Sequence, residues 1–407
     1  MTKAIQTIFD NFDKNRIFKD KSILQINHNP EEILHREVQI TQIASILAPI
    51  LRGERTSNLF LYGKTGTGKT LSMQYVRGEL LKRIKKESDF KIRIEYLNCR
   101  LKKVSDTEYR ILAELIKKLG SSVPDTGLPT QAVYNKFIDL IDSTKQLLVL
   151  ILDEVDQTVK KISSDFLYNL TRINSELSQA QIVIVGISND LTFLDDLDPR
   201  VRSSLSEEEI VFPPYNALQL QDILKERSLK AFKEGVLQEG VVAKCAAFAA
   251  REHGDARRAL DLLRIAGELA ERSNSKKILL KHIDESNDKI ERDKILDVVS
   301  SEPKQFQLVL YSIIKLAEKL TDKQNKEPIF TGDVYNFYQE LCEKNKCEVL
   351  TQRRISAIIQ EFDMLGIINV KVISKGRGGR MREIKLAITN NIIKKVKEII
   401  EDSLSYK

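Results

Sequence analysis

The sequence predicts an α/β domain built on a parallel, doubly wound sheet, then an all-helical domain, then a smaller domain of helices and one strand pair. Three observations carry that prediction. Apolar strand-like runs alternate with helix-periodic segments up to about residue 212, as the crossovers of a parallel sheet require. The first such run, Leu59-Phe60-Leu61-Tyr62, breaks into a glycine-rich loop and then a helix. From Pro213-Pro214-Tyr215 the strand signal stops, and helical periodicity alone continues to about residue 293.

Residues 1–30 are mixed and polar, and read as a tail or short helix lying on the next domain. Between 35 and 51, Ile40, Ile43, Ala44, Ile46, Leu47 and Ile50 recur at helical spacing. A helix from 69 to about 86 is expected to pack through Leu71, Tyr75, Val76 and Leu80. Residues 92–97 alternate as a strand, and helices follow near 106–119 and 130–141, separated by the turn-rich stretch 123–129. A buried strand covers 147–154, a helix about 163–177, and a third apolar strand 181–187 ends in Ser188-Asn189-Asp190. A ligand of such a sheet belongs at the carboxyl ends of its strands. The charged stretch 291–303, broken by a proline, reads as a linker. The expected limits are 1–30 for the tail, 31–212 for the α/β nucleotide-binding domain, 213–295 for the helical domain and 296–407 for the last.

The loop carries the clearest chemistry. Gly63, Gly66 and Gly68 let the backbone turn its N–H groups inward on an anion, with Lys64, Thr65 and Thr67 between them. Lys69 reaches the β- and γ-phosphates, and the Thr70 hydroxyl is a ligand for Mg²⁺. The spacing fits the full phosphate-loop pattern and sits between a strand and a helix, so a nucleoside triphosphate is the expected ligand. Asp153-Glu154 closes the second strand. The first carboxylate can hold the Mg²⁺ shell and the second can orient the attacking water. Asn189, at the end of the third strand, is placed to reach the γ-phosphate or that water. Arg257, opening a helix in Gly254-Asp255-Ala256-Arg257-Arg258, is placed to swing back on the γ-phosphate. Asp156 extends the acidic cluster without a role of its own.

Composition excludes other classes. An apolar fraction of 42% with 30% charged residues in 407 fits a globular protein of two or three domains. The net charge of +7 is too mild for the whole surface to be a nucleic-acid footprint, so any such surface is a local patch. Four cysteines without CxxC spacing read as free thiols of a reducing compartment rather than zinc ligands. The first fifteen residues are polar, and no apolar run approaches the ~20 that a membrane span takes. A cytoplasmic, nucleoid-associated protein with no membrane partner is expected.

Residues 63–70, 148–156, 188–189 and 254–258 resemble the Walker A, Walker B, sensor-one and sensor-two elements of AAA+ ATPases. More narrowly, Ile46-Leu47-Ala48-Pro49, Asp198-Pro199-Arg200-Val201, Phe212-Pro213-Pro214-Tyr215 and the stretch 254–271 resemble the archaeal origin-recognition replication initiators, from about residue 29 to 393. The resemblance implies ATP or ADP with Mg²⁺, and adenine near His35, Arg36 and Tyr215, with Arg227 on the first helix of the all-helical lid. It implies a DNA-contacting helical insertion over about 100–129, with Arg100, Lys102 and Lys103. It implies double-stranded origin DNA, the replicative helicase and paralogous initiators on adjacent sites as partners. For a trans-acting arginine finger the candidates are Arg200 and Arg202; Ser203, Ser204 and Leu205 follow, which puts activation of a neighbour's ATP in doubt.

Beyond residue 303 a helix over 306–320, a second from Thr331 and a third from Thr351 precede strand-like runs at 367–374 and 382–388, the pattern of a winged helix. Ile355, Ile358, Ile359, Phe362 and Leu365 form the expected packed face of the third helix, leaving Gln352, Arg353 and Ser356 outward. Arg grips guanine and Gln adenine bidentately from a major-groove helix. Lys375, Arg377, Arg380 and Arg382 belong to a glycine-rich basic hairpin. Over 371–385 six cations meet one anion, a net +5 that suits phosphate contact. The leading reading is an ATP-binding replication initiator on duplex origin DNA that helps recruit or load the helicase, with slow regulatory hydrolysis. The alternative is a DNA-binding regulator in which ATP is a structural ligand only.

Overall fold

In the computed structural model five parallel strands form one sheet in the order β2-β3-β4-β1-β5: β1 (Asn58–Tyr62), β2 (Lys91–Asn98), β3 (Gln146–Asp153), β4 (Gln181–Ser188) and β5 (Glu207–Val211). The residues described are 16–25, 27–84, 90–100, 107–124, 126–162, 165–192, 197, 199, 202, 205, 207–322, 328–374 and 380–405. Lys102, Lys103, Arg200, Ser203, Ser204, Lys375 and Arg377, and the side chain of Arg380, lie outside them.

Side chains of a strand alternate between the two faces of its sheet. Leu59 and Leu61 join one apolar layer, with Ile43 and Leu47 of the helix Glu37–Leu47 and Met73, Val76 and Leu80 of the helix Lys69–Arg83. Phe60 and Tyr62 join the other, with the helices Glu108–Lys118, Thr130–Asp142 and Asp165–Arg172. β3 and β4 are covered on both faces, and every residue of β3 is buried, which is why it reads as an unbroken apolar run. Gly186 of β4 lies opposite Phe60 of β1, and a Cβ there would stand 2.3 Å from the Phe60 ring; the missing side chain makes room for the phenyl group.

Four details differ from the sequence expectation. Tyr75 is 42% exposed, because Ser72, Met73, Val76 and Leu80 turn inward instead. The helix expected over 163–177 is shorter, Asp165–Arg172 followed by a 3-10 turn, and a separate helix Val155–Lys161 begins directly after Glu154. β5 was not foreseen: Glu207-Glu208-Glu209 is an unusual strand sequence, tolerated where the strand forms the sheet edge. The stretch 291–303 is helical, since the helix Leu280–Ser301 runs through most of it and the next, Lys304–Asp322, starts after Pro303.

The helices Ala217–Ala231, Val241–Arg251 and Ala256–Arg272 form the helical lid. Asn216 and Gln219 close a capping box on the first, and the Asp255 carboxylate accepts the N–H groups of Arg257 and Arg258 in the first turn of the last. A strap from Ile17 to Leu24 is laid on these helices. Phe18 packs against Phe232 with ring centroids 4.9 Å apart, and the buried Glu271 carboxylate accepts the N–H groups of Ile17 and Phe18 at 2.8 and 3.4 Å.

The chain divides into two compact units, residues 1–283 and 284–407. The second contains the helices Lys304–Asp322, Thr331–Lys344, Gln352–Met364 and Asn390–Ser405. Its antiparallel hairpin, β7 (Ile368–Ser374) and β8 (Arg380–Leu386), is joined at β8 by the short β6 (Ile329–Phe330), which completes a winged helix. Phe306 of the first helix and Phe362 of the third meet edge-to-face at 4.3 Å in its core. Leu365, expected in that core, is 39% exposed because the helix has already ended at Met364 and Gly366 turns the chain into β7. Among the described residues no helix is long and apolar enough to cross a membrane.

Candidate functional site

The carboxyl ends of β1, β3 and β4 meet the N-terminus of the helix Lys69–Arg83. Gly66 and Gly68 hold φ of 73° and 91°, a region that glycine enters without strain, and so bend the loop back onto the helix start. Lys69 is 4% exposed. Its Nζ donates to the carbonyl oxygens of Gly63 at 2.6 Å and Lys64 at 2.8 Å and to Asn189 Oδ1 at 2.9 Å. Burial lowers its pKa from 10.5 to about 8, with Asp153 opposing the shift and Arg257 adding to it.

Asp153 is the hub of the acidic side. Its Oδ2 accepts from the Thr70 hydroxyl at 2.9 Å and the Tyr96 phenol at 2.7 Å, and its Oδ1 from the Glu154 amide at 2.9 Å. Burial first, then the Asp153 charge, pushes the Tyr96 phenol above its usual value. Glu154 has φ 57° and ψ 41°, a left-handed conformation that a non-glycine residue adopts at an energetic cost. That turn moves the chain from β3 directly into the helix beginning at Val155. Burial raises the Glu154 pKa against the opposing charge of Arg100, whose guanidinium stands 3.6 Å away. Asp156 is buried and accepts the Asn189 amide at 3.3 Å, which gives the unassigned carboxylate a structural partner.

These groups line a cavity of about 230 Å³. Thr65, Gly66, Gly68, Lys69 and Thr70 form one wall, Asp153, Glu154, Asn189 and Arg100 a second, and Arg227, Ala256 and Arg257 of the lid a third. Tyr215 also lines it and is 5% exposed. His35, Arg36, Gly63, Lys64 and Thr67 do not form its wall. His35 faces Asp222 of the lid at 3.2 Å. Lys64 stands 3.5 Å from His253, and the Thr67 hydroxyl donates to the Lys64 carbonyl. Sequence reasoning missed Tyr96, whose alternating strand gave no hint of which side chain would meet Asp153. It also missed Gln25 and His28, which line the cavity from a segment read as tail.

In the second unit Thr351 caps the helix Gln352–Met364 by accepting from the Arg354 amide at 3.4 Å. Gln352 and Arg353 are exposed on its first turn, and Ser356 is half-buried behind them. Arg382 Nη1 donates to the Ser356 carbonyl at 3.3 Å, tying β8 to this helix. Arg100, expected on a DNA-facing loop, has a side chain 73% exposed, and its guanidinium also pairs with Glu154 at the cavity.

Residues 52–193 match the AAA domain family, 221–288 the Cdc6 AAA+ ATPase-type lid domain and 297–396 the CDC6 C-terminal winged helix domain. The "ORC1-type DNA replication protein" of Thermococcus onnurineus is 49% identical over 397 residues, covering 96% of this chain and 94% of that one. The chain belongs to the ORC1-type family of archaeal DNA replication proteins. The Pyrococcus furiosus member of the family is 50% identical over 385 residues, 94% of this chain and 90% of its own. The Aeropyrum pernix ORC1 protein, solved in complex with DNA, is 41% identical, with a TM-score of 0.80 over 95% of this chain and 98% of that one. The ORC1-type assignment covers the AAA+ core, the lid and the winged helix together.

Proposed function

We propose that this protein is a replication initiator that grips duplex origin DNA, that its grip is set by the nucleotide in the cavity, and that it helps recruit or load the replicative helicase. The observation that carries the reading is the likeness to the Aeropyrum pernix ORC1 protein solved with DNA, which extends over 95% of this chain at 41% identity. Paralogous initiators on adjacent sites are proposed as further partners, in the cytoplasm. The limits 31–212, 213–295 and 296–407 are the proposed functional domains.

ATP or ADP is proposed for the cavity, with the backbone N–H groups of 63–68 around the phosphates and Lys69 on the β- and γ-phosphates. The residues fit Mg²⁺: the Thr70 hydroxyl and the Asp153 carboxylate are oxygen donors 2.9 Å apart, the hard-ligand pair such an ion takes beside phosphate oxygens. A bound Mg²⁺ would neutralise charge on the phosphates. Glu154 would accept a proton from the attacking water, and the burial that raises its pKa makes the carboxylate a stronger base. Asn189 and Arg257 would read the γ-phosphate, and Tyr215 and Arg227 would lie beside the base. Hydrolysis is proposed to be slow and regulatory: Glu154 already pairs with Arg100 and Lys69 with three oxygens, so both must be released first.

On the DNA side Gln352, Arg353 and Ser356 are proposed to face base edges, and Lys375, Arg377, Arg380 and Arg382 the backbone, together with Arg100, Lys102 and Lys103 of the first unit. Footprinting on chromosomal fragments tests the reading. A discrete protected duplex is expected, lost in Arg353→Ala; protection without a preferred site refutes the origin reading.

A further inference from the structure

Arg36 is 2% exposed, and among the described residues no carboxylate is bonded to its guanidinium. Three backbone carbonyls take its donors instead: Nε to Thr67 of the phosphate loop at 2.8 Å, Nη2 to Pro213 of the linker to the lid at 2.6 Å, and Nη1 to His35 at 3.0 Å. The guanidinium lies 3.7 Å from the Tyr215 ring centroid and 5.8 Å from that of Phe212. A buried charge is expensive unless its donors are aimed at acceptors, and the planar fork of arginine suits three carbonyls and a ring face at once.

These contacts belong to a closed circuit. From Thr67 the path runs through Arg36 to Pro213 and Tyr215. The Tyr215 amide bonds the Gly254 carbonyl at 3.3 Å, and the Ala256 amide at the start of the lid helix bonds the Gly66 carbonyl at 3.2 Å, back on the loop. The members are in tight contact: a Cβ on Gly68 would meet the Tyr215 hydroxyl at 2.9 Å, and one on Gly254 the Tyr215 carbonyl at 2.4 Å. A phosphate that shifts the loop therefore pulls on the linker and on the helix carrying Arg257.

We propose that Arg36 is a positioning residue that locks the phosphate loop to the lid linker, so that loop and lid answer a bound nucleotide as one body. The nucleotide part rests on the proposed function of the cavity; the locking part does not. Hydrogen exchange on the full-length, nucleotide-free chain tests the lock, comparing wild type with Arg36→Met and Arg36→Lys. In Arg36→Met, the amides of 65–68, 215–216 and 254–256 should exchange about tenfold faster or more, the change expected from one lost charge-assisted hydrogen bond. Exchange in β3 and in 297–396 should stay as in wild type. Arg36→Lys, which keeps the charge without the fork, should fall between and covers the case in which Arg36→Met does not fold. Unchanged exchange in the three segments, or equal acceleration throughout the first unit, overturns the proposal. Nucleotide titration then separates the two readings: the ATP dissociation constant should rise about tenfold in Arg36→Met. A wild-type protein that binds no ATP refutes the cavity assignment and leaves the exchange result standing.

Discussion

Nucleotide binding should take up a proton above pH 8, and Lys69 should be its acceptor. Burial holds this ammonium at a pKa of about 8 instead of 10.5, which puts the cost of keeping it charged at roughly 3 kcal/mol. Its oxygen partners in the nucleotide-free site, two carbonyls and the Asn189 amide oxygen, are neutral and repay only part of that. A phosphate oxygen arriving at about 4 Å would contribute about 4 kcal/mol per charge at the effective dielectric of such sites, enough to restore the ordinary pKa. The sign follows. Below pH 8 the lysine is charged before and after binding, and affinity is flat. Above pH 8 the free protein has lost the proton that the complex needs, so affinity falls as pH rises. The dissociation constant for ATP should weaken about tenfold from pH 7 to pH 9. Calorimetry at pH 8.5 in buffers of different ionisation enthalpy should find about 0.75 proton taken up per ATP. The buried thiols of Cys99 and Cys245 do not compete, since burial pushes both up to about 12. Lys69→Arg, always charged, should show no uptake. Binding without uptake in the wild type, or equal uptake in Lys69→Arg, would refute the reasoning.

Two further changes test the supports of the site. Tyr96→Phe removes one of three hydrogen bonds to Asp153, and because the phenol is only half-buried the loss should be about 1 kcal/mol, read from the urea midpoint of the nucleotide-free protein. An unchanged midpoint would mean that water replaces the phenol without loss. Glu271→Ala leaves the amides of Ile17 and Phe18 without their buried acceptor and should destabilise the first unit by roughly 2–4 kcal/mol. Trypsin should then cut at Lys19 or Lys21 in the native protein; a strap that stays protected shows that the Phe18–Phe232 contact, the Lys21–Glu268 ion pair and the backbone bonds to Ala231 and Lys233 hold it without Glu271.

The parts legible in the sequence are those where local pattern and tertiary role coincide. β3 reads as a strand because it is buried on both faces, and the phosphate loop reads as one because its backbone needs glycines at fixed places. β5 was not legible, since its glutamates satisfy a partner strand on one side only and carry no apolar alternation. Tyr96 and Arg36 were not legible for a different reason. Tyr96 reaches Asp153 through the pairing of β2 beside β3, and Arg36 reaches Thr67 and Pro213 across 31 and 177 residues of chain. Neither register nor long-range closure is written in local periodicity. Nor was the Arg100–Glu154 pair legible, since it forms where the chain leaves β2 beside the end of β3.

The glycines of the loop carry more than the sequence pattern assigns to them. Gly66 holds φ 73°, which favours glycine for backbone reasons alone. A Cβ there would also stand 1.7 Å from Asp255 Oδ1, the carboxylate that caps the helix bearing Arg257. The same missing side chain thus serves two fits, one to the turn of the loop and one to the lid. Gly254 repeats the arrangement from the other side, with φ 66° and the Tyr215 carbonyl 2.4 Å from where its Cβ would be. Burial of Asp255 raises its pKa despite the two amides it accepts, so the carboxylate stands close against the loop without a full counter-charge. A triphosphate entering beside it would add negative charge to that contact and give Arg257, two residues on, the partner it can grip. A bound triphosphate would therefore repel the lid at Asp255 and attract it at Arg257. That opposition would make the tilt of one helix depend on how many phosphates are present.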